Sequence, residues 1–156
     1  MTRRRALART LALAAASGWL VGPVIALEPP TLDVLLGGER VRVPVAELAR
    51  RVPLAEDQDF RVVELGRDAG TSHHVVAIRT AETPHRHDRH DLFVVMVRGH
   101  GTWRVGDATE PVGEGSLLYV PRGTLHAFAN ESGEVAVAYA VYAPAFDGKD
   151  RVEVGD

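Results

Sequence analysis

From Asp59 onward, apolar and polar positions alternate with a period of two, in short runs broken by turn residues. Phe60–Leu65, Ser72–Arg79, Phe93–Arg98, Thr102–Val105, Leu117–Val120, His126–Asn130 and Val135–Tyr142 are rich in valine, other small apolar residues and aromatics. Gly99-His100-Gly101, Gly106-Asp107, Gly113-Glu114-Gly115 and Ser132-Gly133 supply turns between them. Short strands at this spacing, with no long helical period between them, predict one all-β sandwich or barrel over residues 59–145. Residues 27–58 read as an approach segment, with a strand over Glu39–Val45 and a short helix over Val45–Val52. Residues 146–156 read as a C-terminal tail.

Residues 1–26 depart from this pattern. An arginine cluster, Arg3-Arg4-Arg5, precedes an apolar stretch, and small residues occupy the −3 and −1 positions of Val24-Ile25-Ala26. That order is the order of a bacterial export signal, and the paired arginines after Thr2 are similar to a twin-arginine address. The expected location is the periplasm or the exterior. Thr10 to Leu27 is 18 uncharged residues, so an uncleaved signal is the one route to membrane contact.

Composition narrows the chemistry. The 156 residues suit a single domain and include no cysteine. Disulfide scaffolds, thiolate zinc sites, iron–sulfur clusters and cysteine nucleophiles are thereby excluded. With the four arginines of the first 26 residues set aside, 14 basic residues face 21 acidic ones, a net charge of −7. An acidic body is a poor nucleic-acid surface, which needs clustered Lys and Arg to displace counterions. The single lysine, Lys149, stands near the C-terminus and away from the histidine stretches, which argues against Schiff-base chemistry. Seven histidines remain to be explained.

Three of them lie in Pro84-His85-Arg86-His87-Asp88-Arg89-His90-Asp91-Leu92. His85 and His87 are two apart, so an extended chain turns both rings to one face. A strand offers two imidazoles to one metal in this way. A second stretch, Gly115 to Asn130, has a strand ended by Pro121-Arg122-Gly123 and restarted near His126. His126, Phe128 and Asn130 share a face by parity.

Together the two stretches resemble the motifs of the cupin superfamily. The second motif is matched at Gly115, Pro121, Gly123, His126 and Asn130, and the first at His85, His87 and Gly99. The resemblance covers about residues 79–130. It implies an all-β cupin barrel, that is, a double-stranded β-helix or jelly-roll-like antiparallel barrel. It also implies one divalent transition metal (Fe, Mn, Zn, Ni or Cu) held inside by His85, His87 and His126, a small-molecule ligand or substrate, and a homodimer paired through its sheets.

This sequence departs from the family in two places. Thr80 stands where the leading glycine of the first motif would fall, and Leu92 stands at the usual glutamate. Asp91, one residue earlier, is the expected fourth metal ligand, brought inward by a bulge at His90-Asp91. His90 is a further candidate for that place but is expected to face solvent, His100 to be solvated in its turn, and His73 and His74, on opposite faces of one strand, to be ordinary sheet histidines, with lining of the cavity by one of them as the alternative. Asn130 is expected to cap the barrel through side-chain–backbone bonds, and Arg86 and Arg89 either to steer an anionic ligand to the cavity mouth or to form a solvated basic edge. No general base stands out beside the ligands. The functional expectation is an exported mononuclear metalloenzyme acting on a small oxygen-bearing substrate. The alternative is a non-catalytic module that captures a small molecule or a metal.

Overall fold

A computed structural model describes residues 29–154. The export signal read in residues 1–26 lies outside the described residues. The chain opens with a hairpin, β1 (Thr31–Leu36) and β2 (Glu39–Pro44), then a 3₁₀ turn (Val45–Glu47) and the short helix α1 (Leu48–Arg51). Ten strands follow: β3 (Phe60–Arg67), β4 (Ser72–Ile78), β5 (His85–Arg86), β6 (Asp91–Arg98), β7 (His100–Val105), β8 (Ala108–Gly113), β9 (Leu117–Val120), β10 (His126–Asn130), β11 (Ala136–Ala143) and β12 (Val152–Glu153). Apart from the hairpin they form two antiparallel five-stranded sheets, in the orders β3-β4-β11-β6-β9 and β12-β5-β10-β7-β8.

The sequence parity sorts side chains between the two faces of the first sheet. Val76 and Ile78 of β4, Leu92, Val94 and Met96 of β6, and Ala138 and Ala140 of β11 point inward. They meet Trp103 of β7 and Phe128 of β10 from the other sheet. Fully burying a Val, Leu, Ile, Met or Phe side chain contributes roughly 1.5–3 kcal/mol. The alternate residues Val75, Ala77 and Val137 face the opposite way. There the N-terminal hairpin and α1 cover them with Val43, Leu48 and Val52. The approach segment is therefore a lid on the outer face of the barrel, and β1 belongs to it although no strand is predicted there.

Two close approaches fix the frame. Gly99, between β6 and β7, has φ +90°, a conformation L side chains rarely adopt. Gly101 lies so near β10 that an added Cβ would stand 2.0 Å from the Ala129 carbonyl oxygen. Asn130 caps the barrel, as expected: its Nδ2 donates to the carbonyls of Ile78, Arg79 and Glu134 at 2.7–3.2 Å.

The C-terminal tail is not separate from the barrel. β12 pairs with β5, Val152 opposite Arg86 and Glu153 opposite His85. The polar character of residues 147–153 conceals this docking, because the contacts are hydrogen bonds rather than an apolar face.

Candidate metal centre

His85 begins β5 and His126 begins β10, and the two are direct partners across the antiparallel pair. His87 follows β5 and turns its ring to the same side. The ring centroids are 4.3 Å apart for His85 and His126, 5.2 Å for His85 and His87, and 5.4 Å for His87 and His126. One nitrogen from each lies within 4.8 Å of the other two. All three residues are buried.

The other nitrogen of each ring is tied to the main chain. Nδ1 of His85 donates to Thr83 O at 2.9 Å, that of His126 donates to Thr124 O at 3.0 Å, and that of His87 donates to Asp150 O. These bonds put the proton on Nδ1 and leave the Nε2 lone pairs converging. Nε2 of His87 and of His126 is buried without a hydrogen-bond partner. An unsatisfied buried polar atom costs about 1–3 kcal/mol, so two together, aimed at one point, fit a cation. Burial, then the proximity of His126 and Arg151, push His85 down to about 3; burial likewise pushes His126 down to about 4 against its bond to Thr124. His87 is lowered by burial in spite of Asp150. The imidazoles are thus neutral at pH 7, the form that binds metal. Three imidazoles suit Zn, Cu, Fe or Ni, and the residues present fit such an ion.

Asp91 does not join them. Its alternation is unbroken, with Asp91 opposite Ala143 and Leu92 opposite Tyr142, and no bulge at His90-Asp91. Asp91 therefore shares the outward face with Phe93, and Arg122 takes it through Nη2 at 2.8 Å and the main-chain N–H at 2.9 Å. The bonds from Arg122 hold the Asp91 carboxyl down to about 2. His90 corrects a second expectation. It is buried, and its Nδ1 bonds the Asp150 carboxylate. Arg86 is paired with Asp88 at 2.7 Å and Arg89 with Asp147 at 3.0 Å. Of the tandem histidines, His74 is the buried one and shares a wall with His87. His100 is exposed.

Three residues near the centre carry no motif. Asp150 accepts the N–H of Asp88 at 3.1 Å and of Arg89 at 2.8 Å besides its bond to His90, while its own carbonyl holds His87. Arg151 places Nη1 2.9 Å from His85 Nε2 and 3.7 Å from Glu82 Oε1. Glu82 has only 9% of its side chain exposed, and burial pushes its carboxyl up to about 7 against the pull of Arg151. Parity would turn Glu82 away from His85, three residues on. Between the Ala81–Ala129 bridge and the His85–His126 pair, however, four steps on one strand match three on the other. This extra residue brings Glu82 inward. In the sequence, Phe146, Val152 and Val154 are the apolar residues of an otherwise polar tail and the sign that it docks.

Two cavities share Phe60 and Tyr142 in their walls. The inner one, 30 Å³, holds Glu82, His85, His126 and Trp103 in its wall. The outer one, 340 Å³, is lined by His74, His87, Arg67 and Arg151.

Paired antiparallel sheets wound around an interior lined by histidines from two separate strands define a double-stranded β-helix barrel. Residues 68–142 match the sequence model of the cupin domain, and the chain belongs to the cupin superfamily. An uncharacterized protein of Aquifex aeolicus (strain VF5) is 33% identical over 97 residues, 62% of this chain and 79% of that protein. A Klebsiella pneumoniae protein with a double-stranded β-helix domain is similar in structure, with a TM-score of 0.60 and 12% identity over 70% of this chain and 95% of that one. The Streptomyces nucleoside dehydratase Pac13 gives a TM-score of 0.55 and 19% identity over 68% of this chain and 87% of its own.

Proposed function

We propose that this cupin is an exported metalloenzyme that holds one divalent transition metal on His85, His87 and His126 and acts on a small oxygen-bearing substrate. The observation that carries the reading is the shared tautomer. Three neutral rings are pinned through Nδ1 to main-chain carbonyls, and two Nε2 atoms are buried and partnerless. When bound, the metal supplies Lewis-acid polarisation of a substrate oxygen. The chain's own residues supply the rest. The outer cavity admits a small molecule to the side where His87 stands. Tyr142 faces both cavities, and burial raises its hydroxyl pKa, so it stays protonated and able to donate. The related fold of the nucleoside dehydratase supports an enzymatic use of such a barrel.

The test is metal analysis of protein purified from its export compartment, beside His126→Ala. Wild-type protein carries about one metal per chain, and the variant loses most of it while its circular dichroism stays that of the folded barrel. Equal metal content in the two refutes the site. A small-molecule binding screen follows with the metal in place. Tight binding without turnover, in air and under anaerobic conditions, gives the capture module instead of the enzyme.

A further inference from the structure

An interior metal on three neutral imidazoles carries its full double charge. Taking such a charge out of water is costly unless an opposite charge comes with it. The motif position that commonly answers this need is Leu92 here, which is apolar, and Asp91 faces outward to Arg122. Among the described residues, the carboxylate in the wall of the inner cavity is Glu82, beside His85 and His126. It reaches that wall through the extra residue between the Ala81–Ala129 bridge and the His85–His126 pair.

Arg151 stands between these groups. Its Nη1 donates to His85 Nε2 at 2.9 Å and lies 3.7 Å from Glu82 Oε1, and its guanidinium carbon is 5.1 Å from the Phe60 ring centroid. The Nε2 lone pair of His85 accepts one partner at a time. A guanidinium and a metal therefore exclude each other at that atom, and the same exchange releases Glu82 from its cation.

Resting on the three-histidine reading, we propose that Glu82 supplies the balancing negative charge of this centre in place of the missing motif carboxylate, and that Arg151 guards both Glu82 and His85 Nε2 until a metal takes its place. In the metal-free chain the buried carboxylate has the guanidinium as its partner; in the loaded chain it has the metal. The cation changes and the interior stays compensated. Arg151 comes from the C-terminal segment anchored through Asp150, so the guard is tethered beside the site it leaves.

The experiment is a zinc titration of metal-free full chain against a chromophoric chelator, with a thermal melt of each variant as the check on folding. Glu82→Gln keeps the shape and removes the charge; it should weaken zinc binding by about 10–100-fold, the range of losses from groups that support a metal's ligands. Arg151→Gln removes the competitor and should tighten binding by about tenfold, of the order expected for loss of one nearby like charge. The double variant, which leaves no unpaired buried charge, should bind more tightly than Glu82→Gln alone. Glu82→Gln binding as tightly as wild type overturns the role of Glu82. Arg151→Gln binding no more tightly than wild type, or the double variant matching Glu82→Gln, overturns the role of Arg151. A wild-type chain that takes up no zinc is a different result, and refutes the histidine centre itself.

Discussion

Replacing Asp150 by asparagine should destabilise the metal-free barrel at neutral pH and matter progressively less in acid. Asp150 is 4% exposed on its side chain, and burial alone would raise its pKa. The donors from His90, Arg89 and Asp88 outweigh burial and hold it down to about 2, from an ordinary 3.8. A carboxyl with a depressed folded-state pKa stabilises the fold above its unfolded value and loses that stabilisation as pH falls through the folded one. For this difference the contribution is about 2 kcal/mol at pH 7 and roughly half that by pH 3. In a domain of this size the neutral-pH loss corresponds to about 10 °C in melting temperature. An asparagine amide also sets a donor against the N–H groups of Asp88 and Arg89, which adds to the loss. Thermal melts of both proteins, in chelator from pH 7 to pH 3, measure the gap between them, and other carboxyls titrate alike in each. Equal midpoints at pH 7, or a gap that stays constant down to pH 3, would refute the reasoning.

Gly101→Ala should cost about 3 kcal/mol or more, because the added carbon meets the Ala129 carbonyl and must force β7 from β10; an unchanged urea midpoint would contradict that close approach. Asp91→Asn should leave metal content at the wild-type level, since Asp91 is engaged by Arg122 on the outer face; a drop on metal analysis would return it to the centre. Arg3→Lys together with Arg4→Lys should hold the chain in the bacterial cytoplasm when fractions are probed by immunoblot, whereas unimpaired export would assign the general secretory route.

The barrel was legible because its strands are short, alternating and punctuated by glycine. Leu117–Val120 and His126–Asn130 fall where the alternation puts them. β8 was not, since Pro111 and the polar Thr109 and Glu110 leave it without an apolar stripe, its residues being mostly exposed. His85, His87 and His126 could be found from two-residue parity and a turn motif, both local properties. Glu82 escaped because a register slip, invisible in one strand alone, reverses its facing. Asp150 and Arg151 escaped for another reason: they reach His87, His90 and His85 across about sixty residues of chain, through hydrogen bonds that leave no hydrophobic period. Asp91 misled because a bulge was needed to turn it inward, and β6 stays in register with β11 there.

The acceptors behind the three imidazoles are peptide oxygens, of Thr83, Thr124 and Asp150. Every amino acid carries that oxygen. Positions 83 and 124 are thus free to drift in side chain while the rings beside them keep their aim, provided the backbone path is kept. Divergence within such a barrel can then fall on the cavity walls, where selectivity is set, without first dismantling the centre. The exception is position 150, whose carbonyl is held in place by its own carboxylate. A lineage that loses that acid must find another anchor for His87 or give up the site.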